Sequence, residues 1–259
     1  MDIIVCIKRV PNLAEAEIEI AKDGRRLVAD DLDWDVNEWD DFAIEAAVRL
    51  KEAHGGTVTA ITVGDEEAEE ALRRALAMGA DAAIHVRDEL LAGADPWLTA
   101  VALQRAIHGH PFDLVLCGAI ASDGASGHVG GMLAALLGVP CVALATGLEV
   151  RGRTALVRHE VEGGLEREVE MALPGLVTAQ SGLNEPRYVS IRGIRKVADM
   201  EIAVKTAADL GLAGKAMECR VRLEGLSLPP AGKGAEILGG DVDTAVATLV
   251  ARLHEKGGL

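Results

Sequence analysis

Aromatic side chains are scarce in this sequence: three tryptophans, two phenylalanines and one tyrosine in 259 residues. Since the chain is 49% hydrophobic, its core must come from Ala, Val, Leu and Ile. Such cores suit helices stacked on parallel strands. Basic charge is also short, with 26 Lys and Arg against 41 Asp and Glu, a net charge of −15 at pH 7. That argues against a nucleic-acid binder, which neutralises phosphates with basic surface, and favours a cytoplasmic protein. The cysteines (Cys6, Cys117, Cys141 and Cys219) are far apart with no Cys-x-x-Cys pair. They read as reduced and mostly buried thiols, neither a disulfide framework nor a zinc site. No apolar run approaches the roughly 18 residues of a membrane span. The start, MDIIVCIKRV, is too short in its apolar part and lacks the cleavage site of a signal peptide.

What is present is a regular alternation. DIIVCIK is a continuous apolar run, as expected for a strand covered on both faces. KDGRR marks a hairpin turn. NEWDDFAIEAAVRLKEAHGG places Phe42, Ile44, Ala47, Val48 and Leu50 at helical spacing and stops at Gly-Gly. Strand TVTAITVG, helix DEEAEEALRRALAMGA, strand AAIHVRD, helix DPWLTAVALQRAIHG, strand FDLVLCG and helix SGHVGGMLAALLGVP follow. The first 140 residues are therefore expected to form a right-handed, mostly parallel α/β sandwich, Rossmann-like in layout. Residues 142–180 alternate apolar and polar residues around two glycine turns, the pattern of an added antiparallel meander. A short helix and strand are expected in IRGIRKVADMEIAV. Residues 1–223 make the α/β domain, and residues 224–259 a Pro- and Gly-rich linker ending in a helix capped by Asp241, a C-terminal arm.

In an open α/β sheet, ligands sit beyond the carboxyl ends of the strands at the topological switch point. Three loops converge there: Cys6 to Arg9, Val63-Gly64, and GAIASDGASGHVGG at residues 118–131. The last runs into a helix amino terminus, where free N–H groups and the helix dipole favour a phosphate. It is neither a Walker motif nor GxGxxG, so a plain flexible loop stands beside the nucleotide reading. Asn37 reads as an N-cap or as a ligand contact, and Trp39 as a packing anchor or a wall beside a flat ligand. No nucleophile is paired with a base. His85 reads as a core or edge residue; His108 and His110 flank a turn, and His128 and His159 stand alone. No catalytic or metal residue is assigned.

Several stretches taken together identify a family. VCIKRVP, VNEWDDFAIEAAVRLKE, ALRRALAMGAD, DLVLCG with the following SDG, VRHEVEGGLEREVEMALPGLVTA and LNEPRY resemble the β subunit of electron transfer flavoprotein, in order along nearly the whole chain. The resemblance implies that the α/β sandwich is of the adenine-nucleotide-binding kind. It also implies a heterodimer with an α subunit that holds most of an FAD at the interface. The β subunit would bind AMP or, in electron-bifurcating members that use NADH, a second FAD. Electrons would pass from dehydrogenases of the acyl-CoA type to a quinone oxidoreductase, with no membrane insertion and no turnover by this chain.

The resemblance places nucleotide contacts on Cys6, on Asn37, Glu38, Trp39 and Asp40, on Val63, and on Gly118, Ala119, Ile120, Ala121, Ser122, Asp123, Gly124, Ala125, Ser126, Gly127, His128 and Val129. Trp39 would face the flavin of the α subunit. Residues 182–196 would recognise partners, through Leu183, Asn184, Glu185, Pro186, Arg187 and Tyr188. Leu183 would be the exposed anchor entering a dehydrogenase pocket, since burying a leucine is worth roughly 1.5–3 kcal/mol. Arg187, Arg192, Arg195 and Lys196 form a basic patch on an acidic chain, suited to steering acidic partners. Glu38 stands where many members have proline. Asp123-Gly124-Ala125-Ser126 keeps the first half of the Asp-Gly-Asp-Thr usual in bifurcating members, and Gly124 stands where AMP-binding members often carry a bulkier residue. The resemblance favours AMP and keeps FAD as the alternative. A stand-alone stress-protein-like nucleotide-binding module would need neither the meander nor LNEPRY. An ATP-using enzyme of similar layout is opposed by the lack of a Gly-rich pyrophosphate loop after the first strand.

Overall fold

The computed structural model describes residues 1–13, 16–28, 32–230, 232 and 234–258. β1 (Asp2–Cys6) forms because Ile3, Ile4, Val5 and Cys6 are all buried, alternately toward the two faces of one sheet. It lies between β4 (Thr57–Val63) and β6 (Leu114–Gly118), parallel to both, with Ile3 opposite Val58 and Leu114. β5 (Ala82–Val86) continues the sheet beyond β4. The chain thus runs outward from β1 to β4 and β5, then returns to the opposite side of β1. The switch point falls at the carboxyl ends of β1, β4 and β6.

Helices cover both faces of this parallel region. On one face, α1 (Glu38–His54) and α2 (Glu69–Met78) bury Ile44, Val48 and Leu72 against Ile3, Val5 and Ala60. Three acids in the first turn of α1, with Lys51 and His54 in the last, complement the helix dipole. On the other face, α3 (Pro96–Ile107) and α4 (Val129–Leu137) pack Leu98, Leu103 and Leu133 on Ile4, Ile61 and Leu176. Asp95 caps α3, its carboxylate accepting from the Leu98 amide at 2.8 Å.

The meander extends the same sheet. β7 (Cys141–Arg151), β8 (Thr154–Val161) and β9 (Leu165–Ala172) pair antiparallel. β10 (Gly175–Ala179), fully buried, then leaves the meander and inserts between β6 and β7, parallel to both. Residues 175–179 are therefore a central strand of the parallel sheet. After α5 (Ile191–Val197), β11 (Ala203–Lys205) adds to the far edge, beside β5. The order is β11-β5-β4-β1-β6-β10-β7-β8-β9. β2 (Arg9–Pro11) and β3 (Trp34–Val36) form a separate antiparallel pair, where the Arg9 guanidinium lies 4.5 Å from the Trp34 ring centroid. The KDGRR turn closes a small bridge between Ile20 and Leu27, with Gly24 at φ 67°.

The chain divides into two compact units, Met1–Glu224 and Gly225–Leu259. In the second, α6 (Val242–Glu255) starts at Asp241, whose carboxylate accepts from the Thr244 amide at 2.8 Å. α6 buries none of its residues and leaves Val242, Val246, Leu249, Val250 and Leu253 exposed. Ala231, Lys233 and Leu259 of the expected linker and tail lie outside the described residues.

One glycine sets how closely α4 sits on the sheet. A Cβ at Gly130 would lie 2.5 Å from Thr178 Cγ2 and 3.0 Å from Cys117 Sγ. Gly130→Ala is expected to push α4 outward and lower stability by about 1–3 kcal/mol, the usual cost of overpacking. Urea unfolding measures this directly; an unchanged midpoint would mean that α4 is free to shift.

Candidate functional site

The amide groups just beyond the ends of parallel strands have no ladder partner, and buried amides need one. At the switch point a single carboxylate supplies it. Asp40, in the first turn of α1 and 4% exposed, accepts from the Gly118 amide at 2.7 Å with Oδ1 and from the Lys8 amide at 2.8 Å with Oδ2. The loops after β6 and β1 are thereby fixed to one side chain. Gly118 has to be glycine for this: a Cβ would collide with Asp40 Oδ1 and lie 2.9 Å from Trp39 Cβ. On the β4 side, buried Thr62 donates from its hydroxyl to the Ile7 carbonyl at 2.8 Å.

Asn37 occupies the N-cap position of α1, but its side chain does not cap the helix. Its Nδ2 donates to the Ile120 carbonyl at 2.8 Å, and its Oδ1 accepts from the Ser122 amide at 3.2 Å. Its own carbonyl accepts from the amides of Asp40 and Asp41. The N-cap reading of Asn37 is thus right for the position and wrong for the side chain, which braces the 118–129 loop.

That loop continues from Gly118 with the Ala119 amide on the Ala179 carbonyl and the Ala125 amide on the Ala121 carbonyl. Ala125 at φ 45° and Gly127 at φ 62° turn it sharply toward α4. Ser122, Asp123, Gly124, Ala125, Ser126, Gly127 and His128 are exposed, while Ala119, Ile120, Ala121 and Val129 are half-buried. The first turn of α4 holds no acidic residue and its N-cap side chain makes no capping bond. Its leading amides, by helix geometry, lack intrahelical partners. Lys8 reaches across the mouth and pairs with Asp123 at 2.5 Å. Val63 stands half-buried at the end of β4, Trp39 is half-buried beside Gly118, and Glu38 is exposed. Open amides, a lysine, a glycine floor and the absence of acids in the helix turn fit a nucleotide phosphate.

The electrostatics oppose nucleophilic chemistry. Cys6 and Cys117 face one another across β1 and β6. Burial, then the Asp40 charge, pushes the Cys6 thiol up to about 12. Burial also raises Cys117 far above its ordinary value. Both are therefore thiols and not thiolates near neutrality. No cluster suited to a metal occurs among the described residues. His85 is fully buried in β5, where burial lowers its pKa.

The 183–188 stretch lies against the other half of α1. Leu183 is not a bare tip: it is half-buried, packs on the core beneath α1 and lines an open cavity of about 440 Å³ with Ala46, Leu50, Leu148 and Val150. The physical reason is that α1 and β7 offer it an apolar seat. Arg187 is likewise committed, paired with Glu45 at 2.7 Å and Glu52 at 2.8 Å. Neither was legible without the fold. Glu185, Pro186 and Tyr188 are exposed, Asn184 half-buried. The large apolar groups that do project are Tyr188, 89% exposed, Ile191 and Ile194. Arg192, Arg195 and Lys196 beside them are exposed and form no ion pair among the described residues.

Burial raises the Asp40 carboxyl to about 7, against the opposing bonds from Gly118 and Lys8. A group whose pKa is higher folded than unfolded stabilises fully below the unfolded value and loses that contribution as pH rises through the folded one. Asp40→Asn keeps the shape, puts an amide against a donor and costs about 1–3 kcal/mol at low pH. The advantage of wild type over Asp40→Asn is therefore expected to fall between pH 4 and 7, reverse in sign and then level off. Urea unfolding of both proteins at pH 5 and pH 8 measures it. An equal gap at both would mean that the carboxylate stays ionised throughout.

Comparison with known proteins agrees with this architecture. The family model described as Electron transfer flavoprotein domain matches residues 26–210. The chain is 39% identical over 258 residues to the electron transfer flavoprotein subunit beta of Bacillus subtilis (strain 168), covering 99% of this chain and 98% of that one. It is 38% identical to the subunit of the same name from Thermoanaerobacterium thermosaccharolyticum, with 99% of each chain covered. It is 35% identical to the Caffeyl-CoA reductase-Etf complex subunit CarD of Acetobacterium woodii, again over 99% of each. With a parallel sheet whose switch point carries a braced, amide-lined loop, and relatives matched along its whole length, the chain belongs to the electron transfer flavoprotein β-subunit family.

Proposed function

We propose that this chain is the β subunit of a heterodimeric electron carrier. AMP binds in the cradle formed by the 118–129 loop, Lys8 and the first turn of α1, and FAD lies at the interface with an α subunit. When bound, FAD would supply the redox chemistry for carrying electrons from dehydrogenases of the acyl-CoA type to a quinone oxidoreductase. The observation that carries the reading is the double brace of Asn37 and Asp40. It fixes the course of the loop into the amino terminus of α4, whose leading amides lack intrahelical partners, while using no reactive side chain. The residues of this chain hold and orient; the thiols of Cys6 and Cys117 stay protonated. The carrier works in the cytoplasm, and among the described residues no helix is long and apolar enough to cross a membrane.

A second reading keeps the cradle and changes its occupant to a second FAD, in a bifurcating complex that uses NADH. The likeness to a subunit named for a Caffeyl-CoA reductase-Etf complex supports it, as does the Asp123-Gly124 pair. The full-length matches, meander and 183–188 stretch included, speak against a stand-alone stress-protein-like module.

Docking to the dehydrogenase is assigned to Tyr188, Ile191 and Ile194 with Arg192, Arg195 and Lys196 around them, in place of Leu183. The C-terminal unit, with the exposed stripe of α6, is assigned to the α subunit.

Two measurements test these assignments. Co-expression with the α subunit, denaturation and chromatography of the released nucleotides is expected to give one FAD and one AMP per heterodimer. Two FAD and no AMP would establish the second reading, and no nucleotide beyond one FAD would refute the cradle. In electron uptake from an acyl-CoA dehydrogenase, Ile191→Ala is expected to raise KM about tenfold, the worth of burying part of one isoleucine. Leu183→Ala should instead lower stability and leave KM nearly unchanged. The reverse pattern would restore Leu183 as the anchor.

A further inference from the structure

The stretch from Asn184 to Tyr188 has no regular secondary structure, so its backbone must find partners elsewhere. It finds them on one face of α1, at Phe42, Glu45, Arg49 and Glu52, spaced three, four and three residues apart. Asn184 Nδ2 donates to the Phe42 carbonyl at 2.9 Å. Arg49 Nη2 donates to the Glu185 carbonyl at 2.8 Å. The Arg187 amide donates to Glu45 Oε2 at 3.1 Å, and the Arg187 guanidinium reaches the same oxygen at 2.7 Å and Glu52 at 2.8 Å. Glu45 also accepts from Arg49 Nε at 2.5 Å.

Glu45 is the hub of these bonds and is 2% exposed. Burial pushes its carboxyl up, and the bonds from Arg187 and Arg49 more than offset this, so it stays ionised below the ordinary glutamate range. A buried ion pair adds little net stability, because desolvation consumes most of the attraction. What a carboxylate with four donors gives is a single loop conformation. No step of electron carriage calls for a charge there, and Glu45 stands two turns along α1 from Asn37 and makes no bond to the 118–129 loop.

We propose that Glu45 is the positioning residue of the docking tip: through Arg187 and Arg49 it fixes residues 184–188 so that Tyr188 and Ile191 meet the partner in one arrangement. The inference rests on the docking assignment above. An irregular loop that is ordered before encounter loses less conformational entropy on binding. Removing the hub therefore weakens docking and leaves carriage intact. The occupant is a folded protein surface with an apolar recess and an acidic rim, matching Ile191 and Tyr188 beside Arg192, Arg195 and Lys196.

The test uses the complete heterodimer and an acyl-CoA dehydrogenase reduced by its own substrate. Glu45→Gln keeps the size of the side chain and removes the charge. It is expected to raise KM for the dehydrogenase about tenfold, with kcat and nucleotide content unchanged. Amide exchange should quicken at residues 184–188 and not in β1 or β6. Arg187→Gln should match it, and the double variant should be no worse than either single, as expected of one shared interaction. If Glu45→Gln does not fold, Arg187→Lys keeps the charge without the planar fork and is read the same way. Unchanged KM in Glu45→Gln, while Ile191→Ala raises it, would overturn the positioning role alone. Unchanged KM in both would overturn the docking assignment beneath it. A KM rise that follows a general loss of thermal stability would reduce Glu45 to a structural residue.

Discussion

Asp40 is the interaction on which the site depends. A carboxylate that is 4% exposed, with burial pulling its pKa to about 7, is an expensive way to end two strands. Its return is geometric. One group accepts from Lys8 beyond β1 and from Gly118 at the end of β6, and it stands in the first turn of the helix that covers both. Strand ends, loop and helix are thereby held in one register. The lack of a Cβ at Gly118 follows from the same bond, since any side chain there would displace Asp40. Burial of Cys6 and Cys117 beneath this clamp then keeps the floor of the site chemically quiet.

Much of the fold was legible because its strands are short continuous apolar runs bounded by turn residues and its helices are longer and repeat at 3.6 residues, so length and flanks separate the two. The loops that cluster at the switch point followed from that alternation and from the rule for open sheets. The place of β10 was not legible. GLVTA reads as a buried strand, but nothing within it states that it returns between β6 and β7 after three antiparallel strands. Asn37 shows the same limit at one residue. An asparagine before a helix has two uses for its amide, and the choice was made by Ile120 and Ser122, more than eighty residues away. Leu183 and Arg187 looked free because their seats, Leu50 with Leu148 and Glu45 with Glu52, belong to other segments. Local pattern locates a loop well; how exposed each of its side chains is depends on what the fold sets beside it.

α1 joins two tasks by rigidity. From Asn37 to Glu45 a helix rises about 12 Å, so the brace on the 118–129 loop and the hub of the 184–188 stretch stand at a fixed separation along one axis. Neither loop has enough internal bonding to hold its own shape, and both borrow amide partners from this helix. Asn37 and Asp40 take up amides of the 118–129 loop, and Glu45 and Arg49 bind the backbone of Arg187 and Glu185, so these four side chains set where each backbone goes.

Two groups of exposed apolar residues differ in size and in the contact they suit. Tyr188, Ile191 and Ile194 form a small tip with three cations at hand, on a chain whose net charge is −15. Such a tip attracts an acidic surface at close range, within about a Debye length, and holds it weakly, because little apolar area is buried. That balance suits the carrier role proposed above, in which one partner is left to reach the next. The stripe of α6, from Val242 to Leu253, offers five large apolar residues on a helix that buries none of them. Apolar surface of that extent is costly to leave in water and suits a lasting subunit contact. A small charged tip and a long apolar helix on a single chain are thus suited to different contacts, the first to a transient one and the second to a lasting one.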